Sequence, residues 1–433
     1  MTCIRFAKTS IVAMAFLGAT AALAAPISLK DAVQIAVQQD IDVLKSLEDR
    51  HKSDAGAMIA RSALFPSLNL RAHYTVRDER HALAGDGTAG GISLVAVQPL
   101  YTGGRATALL RQSEAYDRST QAAVTNSREQ VALVVVSQFS RVLQLRENVA
   151  AGLDSVTFAK SHLKETIKKE ALGVANHFEV TRARQQLSVY ETQLITAKND
   201  LEAAAIALRT TLRLPPNEPT EIQGDLEFRP YTGDKDGSLE RALTSRGDLT
   251  SATARVEMQK EQIQIVASGL RPQVNLKGVY SWDDPKDGDG SADDDWQVIL
   301  NAEVPIFDRN ITKGEVQAEQ ATLRQQELEL ARLVERIKSD VSQAWLDLET
   351  ARQTVEATST DLGLSSEALR LAQVGYREGV SPQIDVLDAQ ASYARSRKDR
   401  AAAVRSYMVQ VATIQRMEGH LVAHILNDEG GSL

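Results

Sequence analysis

The chain carries the same arrangement of landmarks twice, at a constant spacing of 206 residues. Three pairs of turn-forming residues keep this register: Pro66 and Pro272, Pro99 and Pro305, and Gly173 and Gly379. No net insertion separates these landmarks, so the sequence indicates an internal duplication. Tandem copies are typical of a supersecondary unit that can bury its apolar surface only against its sibling or several siblings.

The first 24 residues have the pattern of a signal peptide. Arg5 and Lys8 form a basic start, residues 11–23 are apolar, and small residues precede Ala25. The apolar run is shorter than the ~20 residues that a membrane helix needs. We therefore expect export from the cytoplasm and removal of residues 1–24. Cys3, the only cysteine, would leave with them, so the mature chain would have no disulfide.

Composition and motifs give little support to an enzyme or a nucleic-acid-binding protein. The formal net charge is −8, which opposes binding to a polyanion. The sequence has neither a nucleophile elbow of the G-x-S-x-G type nor, after cleavage, a cysteine nucleophile. His420 and His424 are four residues apart but lack a third ligand, so we assign 420–433 to a solvated C-terminal tail. We expect no catalysis, no cofactor and no metal site.

Two loop-like segments could suggest ligands. Residues 85–90 match G-x-G-x-x-G, but they connect two predicted strands and no helix N-terminus follows, as nucleotide binding requires. Residues 283–295 contain seven aspartates without the spacing of a calcium loop. We interpret both segments as solvent-exposed loops.

Each copy is predicted to contain a helix, two strands, a very long helix, a tight turn and a further helix. The first repeat covers 25–225 and the second 226–419. The predicted strands and turns are as follows: strands at about 67–77, 91–98, 273–282 and 296–304, and turns at about 173–178 and 379–384.

The strands alternate between apolar and polar residues. In the first strand, Leu68, Leu70 and Tyr74 alternate with Asn69 and Arg71, the period of a strand with one apolar face. The strands have about the ~9–11 residues that a tilted membrane strand needs. Four strands cannot close a barrel, so the chain must oligomerise around them. Three copies give twelve strands, whereas two give eight, too few for an open lumen.

Long helical patterns without proline follow the strands, over 105–172 and 315–374. About 65 residues at ~1.5 Å each form a rod of ~100 Å. In the second rod the apolar residues alternate in steps of four and three, as in a coiled coil. This heptad seam consists of Leu330, Val334, Ile337, Val341, Ala344, Leu348, Ala351 and Val355.

Several of these segments resemble the TolC family of outer-membrane efflux proteins. The resemblance rests on Pro99–Arg105 and Pro305–Arg309 after the strands, the turns around Gly173 and Gly379, and Ile384–Gln390. It implies a homotrimer: a transmembrane twelve-stranded β-barrel in the lipid of a Gram-negative outer membrane, joined to a periplasmic α-helical barrel. Such proteins are passive exit ducts for efflux or type I secretion. They work with a periplasmic adaptor protein and an inner-membrane pump.

The resemblance also implies roles for residues near the two glycine turns. Gly173, Val174, Gly379 and Val380 would form the tips that dock the adaptor. The remaining candidates would form the pore constriction and gate: Asp385, Asp388, Tyr376 and Glu179.

The two aspartates are three residues apart and share one helix face, so threefold symmetry would gather six carboxylates in a ring. Ser381 departs from the arginine of the best-known family member. A salt-bridged lock at Ser381 is therefore not expected.

The alternative is a structural coiled-coil protein without a pore. Such a protein would leave the four matched strands unexplained. It would also leave unexplained the aromatic residues near their outer ends, Tyr74, Tyr280, Trp282 and Trp296, which resemble the interfacial girdle of a membrane barrel.

Overall fold

A computed structural model of the protein describes residues 26–76, 88–215, 221–285 and 293–427. The predicted signal peptide lies outside these ranges, as do most of the glycine motif and the middle of the aspartate-rich segment. The described helices and strands, in chain order, are α1 (Leu29–Gln39), α2 (Ile41–Ser62), β1 (Ser67–Val76), β2 (Thr88–Tyr101), α3 (Arg105–Ala171), α4 (His177–Thr211), α5 (Lys235–Ser245), α6 (Gly247–Ala267), β3 (Gln273–Pro285), β4 (Asp293–Glu303), α7 (Ile311–Arg377), α8 (Gln383–Met417) and α9 (Leu421–Asn427).

The duplication is visible in the lengths of the elements. Helices α3 and α7 have 67 residues each, α4 and α8 have 35 each, and α1 and α5 have 11 each. The first residues within each pair are 206 positions apart. The predicted order of helix, strands, very long helix and helix is therefore confirmed. At ~1.5 Å per residue, α3 and α7 are each ~100 Å long.

Left-handed backbone conformations recur at equivalent positions of the two copies. The pairs are Gly103 and Arg309, Gly104 and Asn310, Gly173 and Gly379, and Arg213 and Gly419. A non-glycine residue in this conformation costs roughly 1–2 kcal/mol. The backbone turns have thus been kept even where an arginine or asparagine replaces the glycine.

The four strands form one antiparallel sheet in the order β1-β2-β3-β4. Tyr74 lies opposite Gly90, and Tyr280 lies opposite both Leu94 and Trp296. The predicted apolar residues therefore share one face of the sheet. That face is exposed in the single chain, and Leu70 for example is 72% exposed. Within the part of the chain that the structure describes, the first and last strands, β1 and β4, each pair with one strand only.

The strands are longer than the sequence predicted. Residues 88–90, 283–285 and 293–295, interpreted as loops, continue the ladder, and Gly90 pairs with Asp284. Backbone hydrogen bonds hold a ladder together whatever the side chains are, so glycine and aspartate can extend a strand that apolar residues begin. The apolar alternation therefore marked only the middle of each hairpin.

The main hydrophobic core lies partway along the helices, where α1, α2, α4, α8 and α9 surround α3. It includes Val33, Val135, Phe139, Leu208 and Leu421. In the second long helix, six residues of the predicted heptad seam are buried, whereas Leu330 and Val334 are half-buried. None of the described helices combines the length and the hydropathy of a membrane span.

The expected solvated tail is wrong for residues 421–427, which form α9. Leu421 and Ile425 of this helix are buried in the main core. The carboxylate of Glu129 on α3 accepts hydrogen bonds from the backbone N–H groups of Leu421 (3.0 Å) and Val422 (3.3 Å). Helix α9 is thus held by Leu421 and Ile425 and by the distant carboxylate of Glu129. The helix is too short to show a clear pattern in the sequence. His420 and His424 are exposed.

Burial raises the pKa of Glu129 to about 7. A raised carboxyl pKa means that the fold favours the neutral form of Glu129. The contribution of the neutral carboxyl to stability is complete below the usual pKa of ~4.5 and is lost as the pH rises through about 7. We expect Glu129→Gln, which stays neutral, to gain stability relative to wild type as the pH rises from about 5 to 8, by up to roughly 3 kcal/mol. Apparent Tm values across this range test it. A constant difference between the two proteins would contradict it.

A second prediction concerns Gly103, where φ is +64° and an added Cβ would lie 2.8 Å from Cβ of Arg271 and 3.0 Å from the carbonyl oxygen of Ser268. We expect Gly103→Ala to lower the free energy of unfolding by several kcal/mol, because steric overlap adds to backbone strain of ~1–2 kcal/mol. The matched control is Gly173→Ala, since φ is +74° there with nothing within 4 Å. Chemical denaturation should show the larger loss for Gly103→Ala, and equal losses would contradict the prediction.

Candidate functional site

The two glycine turns join each long helix to the shorter helix that follows. At the end of α3, Gly173 has φ +74°, its N–H donates to the carbonyl of Glu170 (2.9 Å), and the N–H of Val174 donates to the carbonyl of Lys169 (2.9 Å). This is a Schellman motif. Gly379, with φ +79°, ends α7 by the same pair of bonds. The α3–α4 and α7–α8 pairs are therefore helical hairpins.

The helices after the turns begin differently. The side chain of Asn176 caps α4 by accepting a hydrogen bond from the N–H of Glu179 (3.0 Å). Pro382 precedes α8 and makes no side-chain cap. Proline lacks an N–H and has a preset φ, so it starts a helix without a hydrogen-bonded cap.

Apolar side chains project from both turns. Val174 is 73% exposed and Val380 is 80% exposed, and Leu172 and Phe178 are also exposed. Large exposed apolar side chains grouped at one end of a molecule are typical of a surface that another protein covers.

Tyr376 lies in the contact between the two hairpins. It is 7% exposed, and burial raises its pKa. The ammonium group of Lys169 lies 3.7 Å from the centre of the Tyr376 ring and donates to the carbonyl oxygen of Tyr376 (2.9 Å). The same ammonium is 3.6 Å from the carboxylate of Glu165. A cation from α3 therefore holds the end of α7.

Glu179 belongs to the same contact through its backbone. The side-chain amide nitrogen of Gln383 lies 3.1 Å from Nε2 of His162 and 3.3 Å from the carbonyl oxygen of Glu179. The ring of His162 stacks on Phe158 and lies 5.3 Å from the ring of Tyr376. His162 is only 5% exposed, and burial lowers its pKa. Gln383 thus connects α3, α4 and α8.

Asp385 and Asp388 lie on a different face of the second hairpin. Both are exposed, whereas Val386, Leu387 and Gln390 of the same helix are buried. Within the described part of the chain neither carboxylate forms an ion pair. The structure therefore brings Tyr376 and Glu179 together and keeps the two aspartates apart from them, at the surface.

Lys169, His162 and Gln383 belong to this contact but were not predicted from the sequence. At the turn of α7 position 381 is a serine, and the cation that contacts the end of α7 comes from Lys169 of the other hairpin. One signal was available: His162 and Thr166, four residues apart, are polar residues at buried positions of α3. The four-residue spacing placed both residues on one face of α3. It could not show that this face is buried, because polar residues on an exposed helix face have the same spacing.

An open antiparallel sheet, continued by two ~100 Å helices and their hairpins, defines the class of outer-membrane channels in which a β-barrel joins an α-helical barrel. The outer membrane channel CmeC of Campylobacter jejuni has this fold. The two structures superpose with a TM-score of 0.78 at 16% identity, over 90% of this chain and 85% of that one.

The family description "Outer membrane efflux protein" matches residues 32–212 and 238–420. The chain belongs to this family. It is 22% identical over 403 residues to the cobalt-zinc-cadmium resistance protein CzcC of Cupriavidus metallidurans, covering 92% of this chain and 91% of that protein. It is 23% identical over 419 residues to the outer membrane protein TolC of Vibrio cholerae, covering 92% of each.

The family assignment confirms the resemblance drawn from the sequence. It identifies the chain as an outer-membrane efflux duct, located in the outer membrane with its helical part in the periplasm. It also favours the channel over the coiled-coil protein without a pore. The family is one of ducts and is not known as a family of enzymes.

Proposed function

We propose that three copies of this chain form the duct, with their sheets side by side in one twelve-stranded barrel. The observation that carries this proposal is the open sheet, in which β1 and β4 each pair with one strand only. Unpaired strand edges are not tolerated in lipid, and pairing β4 of one copy with β1 of the next satisfies both. Twelve strands leave room for a lumen, which eight would not.

The two faces of the sheet support this arrangement. Leu70, Val298 and Leu300 on one face are exposed apolar residues suited to lipid. Arg71 and Lys277, which lie on the opposite face, are suited to a water-filled lumen. The barrel therefore has an apolar outside and a polar inside without any change of register.

We assign the two glycine turns to docking of a periplasmic adaptor protein. Val174 and Val380, with the neighbouring Leu172, place apolar surface at the end of the hairpins farthest along the chain from the strands. Gly173 and Gly379 permit the tight turns that make this end narrow. The adaptor would connect the duct to an inner-membrane pump, and the pump would select the cargo.

We assign Asp385 and Asp388 to the constriction of the lumen. Both are exposed on one face of α8, so three copies would place six carboxylates around the axis. Tyr376 and Glu179 would act as the gate because they lie where the hairpins meet. Separation of the hairpins would break the contact between Lys169 and Tyr376 and widen the ring.

The docking assignment predicts that Val174→Asp with Val380→Asp weakens adaptor binding by tenfold or more, because burying two carboxylates costs more than ~1.4 kcal/mol. Binding of the purified adaptor to the detergent-solubilised protein measures it. The control is Val174→Leu with Val380→Leu, which keeps the surface apolar and should bind like wild type. Unchanged binding by the aspartate variant would place the docking surface elsewhere.

The constriction assignment predicts that Asp385→Asn with Asp388→Asn weakens the block of single-channel current by multivalent cations, since a ring of carboxylates attracts them. Asp399→Asn is the matched control, because Asp399 is an exposed aspartate on the same helix about 20 Å farther along it. It should leave the block unchanged. Equal block in wild type and in the double variant would remove these aspartates from the constriction.

A further inference from the structure

Four helices meet at the buried contact between the hairpins. His162 on α3, Gln383 at the start of α8 and the carbonyl of Glu179 on α4 form one connected hydrogen-bonded group, against which Tyr376 of α7 packs. A cleft of about 230 Å³ opens beside His162 and Tyr376. This group connects α3, α4 and α8, and Tyr376 adds α7 to the same contact.

The orientation of the Gln383 amide follows from its two contacts. A carbonyl oxygen can only accept, so the Gln383 atom 3.3 Å from the carbonyl of Glu179 must be the amide nitrogen. The same nitrogen lies 3.1 Å from Nε2 of His162 and donates to it as well. Nε2 must then be an acceptor, which requires a neutral imidazole protonated at Nδ1.

A protonated His162 cannot keep this arrangement. Its Nε2 would become a donor facing the amide nitrogen, which is also a donor. Rotation of the amide by 180° would satisfy His162 but would turn the amide oxygen towards the carbonyl oxygen of Glu179. One of the two hydrogen bonds of Gln383 is therefore lost in either orientation.

We propose that His162 and Gln383 form a pH-sensitive joint that holds the two hairpins together when His162 is neutral and loosens them when it is protonated. This inference rests on the proposed gate and names His162 and Gln383 as the residues that position the gate. Asp385 and Asp388 follow Gln383 by two and five residues on the same helix. A shift of the start of α8 would therefore move the proposed constriction.

The charged groups around His162 are balanced. On its own helix it faces Glu165 and Lys169, on α4 it faces Glu179, and Arg377 of α7 lines the same cleft. Tyr376 is the remaining titratable group, and burial raises its pKa away from the range in question. Since burial is the largest cause that lowers the pKa of His162, the neutral form is the one that the closed contact favours.

The expected size of the effect follows from the proton affinity of the released histidine. With a pKa of ~6.5 when exposed and a lower one in the joint, the ratio of released to held joints should rise as the pH falls from ~7.5 to ~5.5, by at most about tenfold. We expect the open-channel fraction in planar bilayers to increase accordingly. The background for this measurement is Asp385→Asn with Asp388→Asn, which removes titration of the constriction itself.

Three substitutions in that background test the joint. His162→Gln cannot take up a proton and should abolish the pH dependence over this range. Gln383→Glu places a carboxylate beside His162 that accepts a hydrogen bond from the protonated ring, which raises the pKa of His162 in the held joint and should reduce or abolish the loosening at low pH. His177→Gln is the matched control, because His177 is an exposed histidine of the same tip, 3.0 Å from Glu170. It should behave like the background protein.

A pH dependence that persists in His162→Gln, or a loosening at low pH that Gln383→Glu leaves undiminished, would overturn the joint. Hydrogen exchange of residues 377–390, corrected for the intrinsic effect of pH, reads the same loosening without requiring conductance. Wild type should lose protection at the lower pH, and His162→Gln should not. If the wild-type channel shows the expected cation block but neither its open fraction nor its hydrogen-exchange protection depends on pH, the joint alone is refuted. If protection is lost at the lower pH without any effect on conductance, the proposed gate is refuted.

Discussion

The edges of the sheet set the constraint on which the other parts of the molecule depend. In one chain β1 and β4 each have a single partner, and the apolar face of the sheet is exposed. Lipid supplies an environment for the face but none for the edges, because it offers no hydrogen bonds to backbone N–H and carbonyl groups. The proposed closure between copies would give these edges hydrogen-bond partners. It would also determine the position of the long helices, since α3 and α7 begin four and eight residues after the strands that precede them.

Duplication gives this architecture its regularity. The hairpin β1–β2 and the hairpin β3–β4 have equivalent registers, as shown by Tyr74 opposite Gly90 and Tyr280 opposite Trp296. The left-handed residues recur in the same way, even where Arg309 replaces the glycine found at 103. Two nearly equivalent halves in each of three copies would surround the axis with six similar units, so a small set of backbone turns serves the whole tube.

The sequence predicted what depends on periodicity and on turn residues. Alternation located the strands, long proline-free helical patterns located α3 and α7, and glycine marked the ends of both. It could not predict contacts between residues far apart in the chain. Glu129 caps a helix that begins almost 300 residues later, and Lys169 reaches Tyr376 from the other repeat. Such pairs leave no local pattern, because each partner alone looks like a polar residue on an ordinary helix.

Comparison of equivalent positions shows how the site arose within the repeat. His177 is the counterpart of Gln383, and Glu170 is the counterpart of Tyr376, 206 residues earlier. In the first hairpin these positions form an exposed contact between His177 and Glu170, whereas in the second they are buried against α3. Both copies therefore have the same backbone and differ in their side chains. The side chains at these positions face solvent in the first hairpin and pack against the neighbouring hairpin in the second. A contact of this kind between non-equivalent hairpins can be broken without unfolding either of them, which is the property that a gate requires.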